Sequence, residues 1–307
     1  MFISASSTSG AEINTSLVSE FNSSIDELLV SQLGLDLYQN NVTKLICNGQ
    51  RYILIGDLHR DQKFRNLFRG LVSEAKDREG DFALFLEGIA RDPVAEAGWI
   101  GVNSQALIFG LEDQNLLDLA TYISRFYFLL ALEDVDSSDW PAILRDHQLS
   151  LCQEIWNLLE VRECLDHLKN NDPMLTPLIA TLEQITSQAK NHKELGELLQ
   201  EAPQFSNSLW AVLYREMALY LMPKIDLSDQ HISSIQVTLN YPHDNSAFLN
   251  FSNEVVLHAR NRVMLSNIVQ TMKSWPNVTE IVIFVGDSHI SEIVEGLQTL
   301  HPMKDEL

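Results

Sequence analysis

The sequence predicts an α/β fold: a central sheet with helices on both faces, a site at the C-terminal ends of the strands, and a large all-helical insertion. Three observations carry this. Short continuous apolar runs stand at Tyr52–Ile55, Phe82–Leu86 and Ile281–Val285, the pattern of fully buried strands. Stretches with helical spacing of apolar residues flank them, the alternation from which a parallel sheet is built. From Ser137 to about Ile225 no strand-like run interrupts the helical spacing, and that stretch is too long for a plain crossover.

Taken in order, the Ser/Thr-rich residues 1–18 are read as a flexible N-terminus. Phe21, Ile25, Leu28, Leu29 and Leu33 are spaced as one face of a helix from Glu20 to about Leu37. Asn48-Gly49 between two apolar runs is a hairpin signal, so Lys44–Cys47 and Tyr52–Ile55 are expected to pair as antiparallel strands. Phe64, Leu67, Phe68 and Leu71 predict a helix over Gln62–Asp77. "DFALFLEG" is a strand ending at Glu87-Gly88. A Gly- and Pro-bearing loop then passes Trp99 to "SQALIFGLEDQN", and a long helix runs from about Asn115 to Leu132. Near the C-terminus "SIQVTLNY" reads as a further strand and "SNEVVLHARNRVMLSNIVQTMKSW" as one amphipathic helix. "EIVIFVGDSH" is a buried strand and "SEIVEGLQTL" the last helix. The expected division is residues 19–135 and 230–301 as the α/β core, 136–229 as the helical insertion or cap, and 302–307 as a tail.

The 42 acidic residues against 21 basic give a formal charge of −21. Nucleic acid and anionic membrane are poor partners for such a surface, because phosphate binding rests on clustered Lys and Arg; a cationic or protein partner fits better. No apolar run reaches the ~18 residues of a membrane span. Cys47, Cys152 and Cys164 form no disulfide framework and fit a reduced, cytoplasmic setting. The N-terminus lacks a basic n-region and an apolar h-region, yet the chain ends in Lys304-Asp305-Glu306-Leu307, the spelling of an endoplasmic-reticulum retrieval address. The expected location is the cytoplasm, with delivery into a host cell as the alternative reading of that tail.

Three strand ends carry chemistry. Tyr52–Ile55 runs into Gly56-Asp57-Leu58-His59, Phe82–Leu86 into Glu87-Gly88, and Ile281–Val285 into Gly286-Asp287-Ser288-His289. In open α/β sheets ligands bind beyond the carboxyl ends of the strands. If the three strands are parallel neighbours, two His, two Asp and one Glu converge there. Imidazole with carboxylate suits a divalent transition metal (Mn, Fe, Co or Zn) that activates water. Without a metal, a His held by a carboxylate serves as a general base. One such motif alone is more often an N-cap and a hydrogen-bonded His; two copies with a strand-end glutamate favour a site. Arg260 and Arg262, two residues apart on a helix, cannot both face inward. Glu112 either reaches the site or favours the following helix N-terminus, and Asp113 is a candidate N-cap. His147, His167 and His192 have no metal-ligand spacing. GxGxxG, GxxxxGK[ST] and GxSxG are absent, so no nucleotide cofactor and no ordinary serine hydrolase is indicated.

In order, the strand ending in Gly56 to His59, the strand-end Glu87, "GLED", Arg260-Asn261 with Met264, and Gly286 to His289 resemble the TraB/Tiki superfamily, with its ChaN-like haem-uptake and erythromycin-esterase-like relatives. The resemblance spans roughly residues 44–130 and 235–300. It implies an α/β core and a metal-dependent hydrolase, protease- or esterase-like. His59, Glu87 and His289 would hold the metal or activate water, Asp57 and Asp287 would orient the histidines, and Arg260 would stabilise developing negative charge. The substrate would be a peptide or an ester. The alternative is a haem-binding or host-directed protein-interaction module on the same fold, without catalysis.

Overall fold

The structure, a computed structural model, describes residues 24–58, 61–78, 80–90, 106–132 and 140–300. The expectations for the N-terminus, the loop around Trp99, the tail from residue 302, and His59 fall outside those residues.

The chain is a mixed α/β protein. Strands β1 (Val42–Cys47), β2 (Gln50–Asp57), β3 (Phe82–Ala90), β4 (Leu107–Glu112) and β5 (Glu280–Gly286) form one sheet in the order β1-β2-β5-β3-β4. β1 pairs with β2 antiparallel and the remaining pairs are parallel. The β1–β2 hairpin turns at Asn48 (φ 51°) and Gly49 (φ 77°). Two successive left-handed residues make the turn whose twist matches paired strands, which is why Asn-Gly stands there.

Alternation along the strands sorts side chains between two layers. Ile53 and Ile55 of β2, Leu84 and Leu86 of β3 and Val282 and Phe284 of β5 pack against α1 (Ser24–Leu33) and α3 (Gln62–Asp77). Tyr52 and Leu54, Ala83 and Phe85, and Ile281, Ile283 and Val285 pack on the other face against α12 (Arg260–Ser274) and α13 (Ile290–Leu300). The helices therefore lie on both faces, as the sequence predicts. The first helix stops at Leu33 and, after Gly34 with its positive φ of 78°, restarts as α2 (Leu35–Asn41), where the spacing alone suggested one unbroken helix.

Between β4 and β5 the described residues form only helices. They include α4 (Gln114–Ala131), α5 (Trp140–Asn157), α6 (Leu159–Asn171), α7 (Thr176–Gln188), α8 (His192–Glu201), α9 (Asn207–Leu221), α10 (Asp229–Asn240) and α11 (Asn245–Phe251). Their shared core runs from Leu116, Ile123 and Phe126 of α4 through Trp210, Tyr214 and Met217 of α9 to Ile235, Phe251 and Val255. The helical packing unit thus reaches past residues 136–229 at both ends.

Two elements differ from expectation. "SIQVTLNY" is not a strand but the second half of α10. Its apolar alternation misleads, because the buried set is His231, Ser234, Ile235, Thr238 and Leu239, a helical spacing, while Val237 is 40% exposed. The start signal is Ser228, whose hydroxyl accepts the His231 N–H, as an N-cap does. The long helix after it is not uniform: Ser252–Ala259 is π-helical and becomes α-helical only at Arg260. Such widened turns are frequent at functional sites.

At the N-terminal edge of the parallel strands, Glu280 accepts from Arg51 Nη1 at 2.6 Å and from Arg78 Nη1 at 2.5 Å. Arg51 also pairs with the buried Asp26, as does Lys44. This network ties α1, β1, β2, the end of α3 and β5 together, on the edge opposite the candidate site.

Candidate active site at the C-terminal strand edge

The strand order decides whether the distant segments meet. β5 lies between β2 and β3 and runs parallel to both. Asp57 stands beside Gly286 in register, and Leu86 beside Phe284. The ends of the three motif-bearing strands are therefore immediate neighbours, although residues 57 and 287 are far apart in sequence.

The glycines make the meeting possible. A Cβ at Gly56 would lie 2.5 Å from Asp287 Oδ1, so that carboxylate would have to move, and 3.1 Å from Asp287 Cα, a tight contact. Gly88, with φ 75°, turns the chain in the left-handed region immediately after Glu87. The Gly286 N–H donates to Glu87 Oε2.

Glu87 is the hub. Its Oε1 accepts from Arg260 Nη2 at 2.9 Å and lies 3.3 Å from His289 Nε2. Burial alone would raise the Glu87 pKa, but His289, the Gly286 N–H and Arg260 outweigh it and hold the carboxyl at about 2. Arg260, itself buried, also donates through Nη2 to Glu112 Oε1 and through Nε to Glu112 Oε2 at 3.3 Å. Burial disfavours its charge, but Glu112 and Glu87 outweigh that and raise its pKa above the ordinary value. A guanidinium forked between two carboxylates fixes both of them in orientation. Arg262 is exposed, as the two-residue spacing requires.

His289 is held from the other side. Asn261 Nδ2 donates to Glu292 Oε2 at 2.7 Å, and Asn261 Oδ1 lies 2.5 Å from His289 Nδ1. An ionised carboxylate only accepts, so the Asn261 amide has its orientation set and its oxygen must accept from the ring. His289 therefore carries its Nδ1 proton toward Asn261 and turns Nε2 toward Glu87. Glu292 also pairs with His258 Nδ1 at 2.8 Å. Burial would raise the Glu292 pKa, but Asn261 and His258 outweigh it and lower the value.

Of the expected residues, Glu87, Glu112, Arg260 and His289 come into one connected network. Asn261 rather than Asp287 orients the His289 imidazole; the part expected of Asp57 toward His59 lies outside the described residues. Asp287 is exposed and lies over Gly56, and Asp57 is half-buried at the mouth. Arg260 is neutralised by two glutamates, so it positions Glu87 rather than waiting for a developing charge. Sequence reasoning missed Glu292, whose signal was its three-residue step from His289 on one helix face. Asp113, the expected cap, accepts the Leu116 N–H at 2.9 Å and starts α4 directly behind Glu112.

A cleft of about 680 Å³ opens on this edge on the α3 side, lined by Asp57, Glu87 and Gly286 at the strand ends and by Phe64, Phe68 and Phe284. Glu112 lines a second cleft, of about 830 Å³, under the helical layer. The Glu87–Arg260–Glu112 bridge is thus a shared wall.

The metal set implied by the resemblance is His59, Glu87 and His289. Both oxygens of Glu87 and both ring nitrogens of His289 have protein partners in this arrangement. Among the described residues no three of His, Cys, Asp and Glu are grouped to hold a metal ion. The described pair, Glu87 and His289, does not by itself make a metal site, and the third expected ligand, His59, lies outside the described residues. Comparison with protein-family models, with curated proteins and with solved structures finds no match.

Proposed function

We propose that this protein is a hydrolase of an uncharged carbonyl bond, ester or amide, in which His289 is the general base and Glu87 its charged partner. The observation that carries this is the His289–Glu87 pair at 3.3 Å, with the ring's tautomer set by Asn261, at a strand edge that opens on a cleft. In the neutral ring Nε2 is unprotonated and makes no hydrogen bond to Glu87. A water held against the Glu87 carboxylate, which lines the cleft, gives its proton to Nε2 while its oxygen attacks the carbonyl carbon, and the imidazolium so formed pairs with Glu87. The leaving group then takes that proton back, and its bond to the carbonyl carbon breaks. Glu87, ionised throughout the ordinary pH range, stabilises the imidazolium in between. Asn261 keeps the ring in place, and Arg260 with the Gly286 N–H keeps the carboxylate in place. Such a base contributes about 10²–10⁴-fold in rate. The TraB/Tiki resemblance supports the same reaction class.

The test is hydrolysis of p-nitrophenyl esters and a fluorogenic peptide library by the wild type, His289→Asn and Glu87→Gln, each with its metal content measured. The expected result is cleavage of one class by the wild type and a loss of about 100-fold or more in both variants. Equal rates in all three proteins overturn the proposal. Bound metal lost from both variants together with activity replaces the general base with the metal-dependent reading. No hydrolysis, but a Soret band on haem titration that His289→Asn abolishes, replaces it with the haem-binding alternative.

A further inference from the structure

Resting on the hydrolase reading, the geometry points to the class of substrate: we infer that the strand-end cleft takes a small organic anion with an aromatic or aliphatic body. The cleft is not uniformly polar. Phe68 meets Phe284 edge-on with ring centroids 5.9 Å apart, and Phe64 and Val72 continue the apolar wall. Arg65 and Arg69 line the same cleft. They stand four residues apart on α3, so their side chains leave the same face of the helix one above the other.

Three features make this pair a recognition element rather than ordinary surface. Acidic residues outnumber basic ones two to one in this chain, so two adjacent cations facing one cavity are against its composition. Neither arginine forms an ion pair among the described residues, and unlike Arg145, Arg162 and Arg262, which also form none, both line this cleft. And the charges in the cleft are separated: Asp57 and Glu87 lie at the strand ends, Arg65 and Arg69 on the helix. An anionic ligand is repelled from the strand ends and held at the helix. Its apolar body is left along Phe68 and Phe284, and its uncharged bond is presented to Glu87, the member of the His289 pair that lines the cleft. Arginine suits the task because its planar fork matches a carboxylate.

The experiment uses binding alone, so that its failure is separate from a failure of the hydrolase reading. The probes are 8-anilino-1-naphthalenesulfonate and N-phenyl-1-naphthylamine, which share the apolar body and differ in the sulfonate. Wild type is expected to bind the anion about fivefold to tenfold more tightly than the neutral dye, as two exposed charge pairs allow. Arg65→Gln with Arg69→Gln removes the preference and leaves the neutral dye unchanged. Arg65→Glu with Arg69→Glu reverses it. Phe68→Ala weakens both dyes. Arg145→Gln with Lys273→Gln, equal in charge change but on exposed residues elsewhere, keeps the preference. A preference that survives the loss of Arg65 and Arg69, one lost equally in the control pair, or no binding of either dye by the wild type overturns the inference. Dye discrimination without any hydrolysis leaves the anion site standing and removes the reaction.

Discussion

Glu87 carries a charge that its burial opposes and its neighbours sustain. Its folded pKa of about 2 lies below the ordinary 4.5, so the ionised form is favoured by folding. The sign follows: this contribution is fully present above the ordinary carboxylate pKa and is lost as pH falls through 4.5 toward 2. A displacement of that size corresponds to a contribution on the order of 3 kcal/mol. Glu87→Gln is therefore expected to be less stable than wild type at pH 7, with the gap in urea midpoint narrowing as pH falls from 5 toward 2. A gap that stays constant over that range would mean that the carboxylate's charge does not contribute. At this scale the charged members of the site were legible. Glu87 and His289 end apolar runs, where a buried strand gives way to an edge, and Arg260 stands out on an amphipathic helix. Asn261 carries no charge and breaks no pattern, so it entered the reading only through a resemblance. Its role depends on Glu292, which only the folded chain brings beside it. Arg65 and Arg69 looked like the wet face of a helix, because a side chain that faces a cleft and one that faces bulk water obey the same periodicity.

Asp113 ends one element and begins another. β4 delivers Glu112 to the Arg260 guanidinium, and the next residue caps α4 through the Leu116 N–H. Replacing it with Ala leaves an orphan donor at the start of α4 and costs about 1 kcal/mol. We expect Asp113→Ala to lower the urea midpoint by that amount, while Asp113→Asn, which still accepts at the cap, stays near wild type. Equal loss in both would place the effect elsewhere. Elements of this kind were readable wherever a local signal stood alone: Asn48-Gly49 for the hairpin, Asp113 for α4. α10 was misread because Ile235, Val237 and Leu239 alternate by chance within a helical set, and the decisive Ser228 lies upstream. The π-helical turn before Arg260 has no sequence signal comparable to a cap or a turn pair. Its wider turns follow from packing of Phe251, Val255 and Ala259 into the helical core while Arg260 and Met264 face the sheet.

The whole molecule depends on where β5 goes. Its seven residues are buried throughout, and in chain order it follows the entire helical layer before lying between β2 and β3. Apolar runs at both ends of the chain predicted a sheet, but not this order, since periodicity fixes which residues are buried and not which strand they pair with. Once inserted, β5 presents a buried charge network at each of its ends. Glu280 joins Arg51 and Arg78 at the N-terminal edge; Gly286 and His289 join Glu87 at the other. The two networks are alike in burial and unlike in surroundings. Glu280 lines neither described cleft, whereas Glu87 lines one. If the first is purely a staple, its loss must weaken the fold and leave the site's chemistry alone. Glu280→Gln removes the carboxylate shared by two half-buried arginines, which keep Asp26 and Asp81 as partners, a change that costs on the order of 2 kcal/mol. We expect a clear fall in unfolding midpoint with hydrolysis and dye discrimination unchanged in the remaining folded protein. Glu87→Gln, by contrast, should reduce both stability and rate. Equal loss of chemistry from the two variants would mean that the strand-end pair acts only through the stability of β5, and the case for His289 as a base would fail with it.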